Sequence, residues 1–266
     1  MTLRPVFSLR FVTDDGDAAL LHFFPNATGE VEPPEAVIVP RAETLLVIAG
    51  AVDIAIRGLS FAHTTDALLE PYRVPSAGDW AVRESGALEI RDGARGVEIA
   101  SCNFERVGGN AVLVAGNATD IRLSELDVFA PGSSAVVVMG SVARDNAAAD
   151  ARFPDGVAID RLVCSEVGVL AKQSSALFVA LARNVSVSDS VLFNGPRAAI
   201  NLNDGFGGGH SIEGSVIFNW VRETQDHGPI NTVRARESWG SREWVSRAHI
   251  CFARALSSPK WDRQKY

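Results

Sequence analysis

Short β-branched segments, scarce helical periodicity and self-similarity at a spacing of about 25 residues predict an all-β chain wound as a right-handed parallel β-helix. The segments include "VDIAIRGLSF", "GVEIASCNF", "DIRLSELDVF", "VAIDRLVCSEV", "NVSVSDSVLF" and "HSIEGSVIF". Each alternates apolar with polar residues and then breaks at Gly, Asn, Asp or Pro, as a half-buried strand does. No two-residue hairpin turn joins neighbours, so a repeat of parallel strands is favoured over an antiparallel sandwich. The repeat shows most directly when "SVLFNGPR" is laid over "SVIFNWVR", an offset of 25 residues (215 − 190). Ser, Val, Phe, Asn and Arg coincide, and Leu192 faces Ile217. Val187 to Ile212 repeats the 25-residue offset, and Ile99 to Ile121 gives 22. One such coil cannot bury its apolar row alone, and stacking on its neighbours completes the core. Asn194 then lies over Asn219 as an expected ladder.

Residues 1–50 read as an N-terminal β extension leading into the solenoid, and 51–232 as its coils. The segment "TTDALLEPYRVPSAGDWAVRES" (64–85) interrupts the repeat and reads as a long loop over one face, the kind of excursion that shapes binding sites. Residues 143–156 form a second, more polar excursion. Residues 233–260 lack strand periodicity, and 261–266 read as the start of a further coil.

A net charge of −7 argues against a nucleic-acid surface. No apolar run is long enough to span a membrane. Cys102, Cys164 and Cys251 are too far apart for a metal or disulfide pattern. No acidic cluster has the spacing of a calcium loop, so no metal and no cofactor are expected. Asn26, Asn117 and Asn184 begin glycosylation triplets that permit a secreted location, although no signal peptide is visible.

Six stretches carry a resemblance: "LHFFPNATG", "EPYRVPSAGDWAV", "VEIASCNFERVGGNAV", "EVGVLAKQSS", "FNGPRAAINLNDGFGGG" and "RETQDHGPINT". Together they resemble a right-handed parallel β-helix repeat family related to carbohydrate-active enzymes, on the pectate-lyase-like superfold. The resemblance implies an extended polysaccharide as partner and an extracellular or secretory location. By architecture it points to glycoside hydrolases, with polysaccharide lyases and uronate epimerases sharing the fold. Fold alone does not set function. Members of the family follow "HGPxN" closely with "WDR", whereas here 233–260 intervene, and their deletion restores "HGPINTWDRQKY". The segment opens on Val233 and closes on Lys260, whose codons accommodate the GT and AG ends of an intron. A retained intron is therefore the expectation, and spliced transcripts that still encode the segment would refute it. The family's usual length also makes this chain look like a fragment at both ends.

The chemistry is expected on the two aligned coils. Alternation puts Ala198, Ile200 and Leu202 inside and Arg197, Ala199, Asn201 and Asn203 outside. The 25-residue offset places Arg222 beside Arg197 and Asp226 beside Asn201, with Glu223 and His227 near Asn203 and Asp204. Glycan hydrolysis needs two carboxyl groups flanking the scissile bond, about 5 Å apart for retention and roughly 6.5–9.5 Å for inversion. Asp204, Glu223 and Asp226 are the candidates, with His227 as an orienting or sugar-binding group. Arg197, Arg222, Asn201, Asn203, Lys172 and Trp80 are the candidate substrate contacts. Elimination or C5 epimerisation of a uronate is the alternative, with an Arg beside the carboxylate and Lys172 or His227 as base. A non-catalytic glycan-binding or structural solenoid is the third reading. Each residue also has a plain structural role open to it: Asp204 as a turn residue, the arginines as salt-bridge partners, Trp80 as a packing group.

Overall fold

The structure is a computed structural model that describes residues 38–66, 68–74, 80–140, 152–204, 207–224 and 227–232, with the backbone of strands Val6–Phe11, Ala19–Phe24 and Cys251–Ala253. Two compact units divide at residue 39, Met1–Val39 and Pro40–Tyr266. In the first, Val6–Phe11 pairs antiparallel with Ala19–Phe24. The second is a right-handed parallel β-helix. Its strands form three parallel sheets, two seven-stranded and one six-stranded among the described residues.

The first sheet holds Leu46–Ala49, Gly86–Arg91, Asn110–Ala115, Val136–Met139, Leu177–Ala180, Ile200–Leu202 and Ile230–Thr232. The second holds Ala55–Arg57, Arg95–Ala100, Thr119–Ser124, Asp155–Asp160, Arg183–Ser188 and Ser211–Glu213. The third holds Ser60–Ala62, Asn103–Glu105, Asp127–Phe129, Val163–Ser165, Val191–Phe193, Val216–Phe218 and Cys251–Ala253. From Leu46 to Phe218 the chain visits the sheets in that order in each coil, so its strands pair with their equivalents one coil away.

Register turns the alternation into interior rows. Ile90, Val114, Val138, Val179 and Leu202 stack in the first sheet. Phe61, Phe104, Val128, Cys164, Leu192 and Ile217 stack in the third. The Phe61 and Phe104 rings lie parallel, with centroids 4.8 Å apart. Full burial of such side chains is worth about 1.5–3 kcal/mol each. Cys102 and Cys164 are fully buried free thiols in these layers, and burial raises the Cys164 thiol far above its ordinary titration range.

The expected 25-residue offsets hold for Val187 with Ile212 and for Val191–Phe193 with Val216–Phe218. The 22-residue alignment does not: Val97 pairs with Ile121, and Ile99 pairs with Leu123. The apolar alternation repeats every two residues, so a slip of two preserves inward and outward facing and leaves the register undetermined. The Asn ladder is present. Asn219 Nδ2 donates to Asn194 Oδ1 at 2.5 Å, and Asn194 Nδ2 donates to Glu166 Oε1 at 2.7 Å.

Both ladder residues sit at corners whose conformation suits Asn. His63, Arg106, Ala130, Glu166, Asn194 and Asn219 each follow a strand of the third sheet, and each has φ of 50–59°. A positive φ costs an ordinary L-residue roughly 1–2 kcal/mol, and Asn tolerates it best after Gly.

His210 caps the second sheet. Its Nδ1 accepts the Val185 N–H at 3.2 Å, and burial lowers its pKa to about 4. Above pH 6.5 the ring is neutral whether folded or unfolded, and its contribution does not vary with pH. Between about 6.5 and about 4 the unfolded ring takes a proton that the folded ring does not, so stability falls with pH by roughly 3 kcal/mol. Denaturant midpoints measured from pH 7 to pH 4 should show this fall, and His210→Gln should flatten it.

Candidate functional site

The middle of the first sheet's outer face is apolar, between Glu89 on one side and Asn201 on the other. Leu113, Val137 and Phe178 form one outward row, and Met139 and Ala180 belong to the next. Trp80 and Val82, from the 64–85 excursion, cover them. Arg73 and Val82 make an antiparallel bridge within the excursion, and an Arg73–Glu84 ion pair joins the same two arms. The Ala81 N–H donates to Gln173 Oε1 at 2.9 Å, tying the excursion to the 166–176 turn. The excursion is thus a strap fastened across several coils.

Trp80 is 1% exposed, so it anchors the strap and presents no open ring face to a sugar. Its ring packs against Phe178 at 5.8 Å, and the edge-on His227 ring lies 5.7 Å away. The Arg197 guanidinium lies over it at 4.9 Å. Arg197 Nε donates to His227 Nδ1 at 3.3 Å, so that ring nitrogen is the acceptor. Trp80, Arg197 and His227, selected separately from the sequence, are therefore one assembly. Arg197 is 7% exposed, and its contacts hold the strap to the coil.

Asn201 faces outward, as its alternation with interior Ile200 and Leu202 requires, but it is wholly buried. Asn231 Nδ2 donates to Asn201 Oδ1 at 2.6 Å, forming a second ladder. The next position in that row is Phe178, which has no side-chain amide to continue it, and among the described residues Asn201 Nδ2 has no hydrogen-bond partner. Asn201 pairs with Asn231 rather than lying beside Asp226, because the turn 219–229 lengthens that coil. Asp226 itself is outside the described residues. The expected facing of Ala198 and Ala199 is reversed: Ala199 joins the main core and Ala198 the cluster under the strap. Regular strand begins only at Ile200, so the alternation does not extend back to them.

Asn203 and Asp204 are also buried. Both Asp204 carboxylate oxygens accept the Leu181 N–H, at 3.1 and 3.0 Å, which makes Asp204 a cap where the chain leaves the first sheet. Glu223 precedes the next strand of that sheet and is exposed, with Oε1 receiving Lys172 Nζ at 2.9 Å. Asp204 and Glu223 therefore lie toward opposite ends of the strands and do not share a cleft. The expected cluster around Asn203 and Asp204 is replaced by Arg197 and His227 at the strap, with Glu223 at Lys172. Arg222 reaches Glu166 Oε2 at 3.3 Å, and it is the backbone of Val221 that meets Arg197, through a Val221 N–H to Arg197 O bond of 2.9 Å.

Beside the strap lies a groove of about 300 Å³ whose lining includes Tyr72, Arg83, Lys172, Gln173, Ser133 and Ser174. The Arg83 guanidinium sits over the Tyr72 ring at 5.4 Å, and Tyr72 is 59% exposed. Asn110 closes the floor: its Nδ2 donates to Arg83 O and Ser85 O, and its Oδ1 accepts the Ser134 N–H. Gly132 positions the Lys172 side. Its carbonyl accepts the Leu170 and Ala171 N–H groups, and a Cβ on it would meet Gly108 O at 2.0 Å. No carboxylate lines this groove among the described residues. Nor does any group of three or more His, Cys, Asp or Glu side chains suit a metal ion among them. Of the groove residues, Lys172 is the one among the candidate substrate contacts of the sequence analysis. Tyr72, Arg83 and Gln173 carry no spacing signal; the interruption of the repeat at 64–85 and the "AKQSS" segment with Lys172 are the features that point to the region.

Comparison with protein-family models and with curated proteins gives no match.

Trp80→Ala should destabilise the chain by about 3–5 kcal/mol, the usual cost of emptying a large aromatic site. Limited proteolysis should then cut within the strap before the coils. Asp204→Ala should cost about 2 kcal/mol by leaving the buried Leu181 N–H unpaired, measurable by chemical denaturation.

Proposed function

We propose that this chain is a carbohydrate-active β-helix protein that binds an extended acidic polysaccharide along the strap groove. The observation that carries the reading is a groove lined by two cations, Arg83 and Lys172, and an exposed Tyr72, with the Glu223 carboxylate reaching Lys172 from outside that lining. Uronate groups would meet Lys172 through charge-assisted hydrogen bonds, and the Arg83 guanidinium, whose Nη2 donates to Leu68 O, would add positive charge beside them. The apolar face of a sugar ring would rest on Tyr72, with Gln173 and the serines available to hydroxyl groups. Only a local cationic groove is needed, so the net charge of −7 does not oppose the reading.

Hydrolysis by paired carboxylates is less well supported. Asp204 is occupied as a buried cap, and Glu223 is held by Lys172. Uronate elimination or C5 epimerisation is the second reading, favoured by the same two cations. A cation beside the substrate carboxylate stabilises the charge that develops when the C5 proton is removed. Lys172 is the candidate groove residue for the cation or the base.

Calorimetric titration with oligogalacturonate and with a neutral xylo-oligosaccharide tests the proposal. The acidic ligand should bind more tightly, and Lys172→Ala and Arg83→Ala should each weaken it by about tenfold, equivalent to one charge-assisted contact. Equal affinity for both ligands, or no effect of either variant, would contradict it. New ultraviolet absorbance from the bound polymer would identify elimination.

A further inference from the structure

The groove's Lys172 is already paired with a carboxylate of the same chain. We infer that Glu223 acts as an internal stand-in for the ligand's carboxylate at Lys172, and so sets how much acidic charge a glycan must carry to bind. This inference rests on the groove reading above.

The two side chains come from turns two coils apart, and both turns are pinned at the backbone. On the Lys172 side, Ala171 N–H donates to Gly132 O at 2.8 Å, and Ser174 Oγ donates back to Ala171 O at 2.6 Å. Gln173, next in sequence, accepts from the strap. On the Glu223 side, the N–H groups of Arg222 and Glu223 donate to Gly195 O and Pro196 O at 3.3 and 3.0 Å. The carboxylate is thus carried to the rim of the groove by a fixed backbone, while its pairing with Lys172 depends on side chains alone.

That pairing is readily exchanged. Lys172 and Glu223 side chains are 51% and 47% exposed, and an ion pair in that setting contributes little. A ligand carboxylate offers Lys172 the same chemistry as Glu223 does. Replacement of one by the other conserves the contact and releases Glu223 to water. A neutral sugar cannot make the exchange and leaves the pair closed. The neighbouring Arg222 and Glu166 pair with each other at 3.3 Å, and Glu223 pairs with Lys172. Glu223 is in this sense a specificity-determining residue and not a catalytic one.

The test is a double-mutant cycle on the full chain, read by titration with oligogalacturonate and with a neutral xylo-oligosaccharide. Glu223→Gln should tighten oligogalacturonate about fivefold and leave the neutral ligand within twofold. In a Lys172→Gln background the same substitution should produce no gain. Thermal midpoints of all variants establish that each is folded. If Lys172→Gln weakens binding but Glu223→Gln does not strengthen it, the groove reading stands and the role of Glu223 is overturned. A gain that persists without Lys172 also overturns it, because general repulsion would then be the cause. If neither the unaltered chain nor Glu223→Gln binds oligogalacturonate, the groove reading fails and this inference fails with it.

Discussion

Everything in this solenoid depends on corners that recur at the same place in every coil. Parallel strands one coil apart can bond in register only if the chain bends at equivalent positions each time. Near the start of the second-sheet strands the bend falls on Asp53, Gly96, Asp120, Gly156, Asn184 and Gly209, all at positive φ. Every one is Gly, Asn or Asp, the residues that reach this region at least cost. The corner leaving the second sheet is less favourable locally, since it includes Ser101, Glu125 and Arg161 at φ of 51–53°. Their strain is offset by the interior rows, which can be buried only when the corners are made.

The same constraint explains where variation is tolerated. Each passage from the third sheet to the first begins at a positive-φ residue and must deliver the chain to the next first-sheet strand. Between those fixed points its length is free, because a flexible loop's closure cost grows slowly with length. The short passage 106–109 and the long ones 63–85, 166–176 and 219–229 all satisfy it. The long passages accordingly gather along one edge of the first sheet. There they supply the strap, Lys172 and Glu223, which is the material for a groove on a scaffold otherwise made of repeats.

What was legible in the sequence follows from this division. Interior rows, the 25-residue offset and the Asn194–Asn219 ladder are periodic, and periodicity is visible without coordinates. The register of Ile99 was not, because a two-residue slip preserves facing. The pairing of Asn201 with Asn231 was hidden by the length of the turn between them. Burial of Asn201, Asn203 and Asp204 was hidden as well, since alternation reports which side a residue faces and not what covers that side. Trp80, Arg197 and His227 each stand out in the sequence by their chemistry, but their positions far apart in the chain do not disclose that they meet around one indole.

The central claim is that the edge built from the long passages is the glycan-binding surface. Backbone and side-chain chemical-shift mapping with oligogalacturonate tests it most directly. Perturbations should centre on Tyr72, Arg83, Lys172 and Gln173 and fade along the second and third sheets. A footprint centred instead on the outward Phe193–Phe218 stack of the third sheet, or no saturable footprint, would contradict the account.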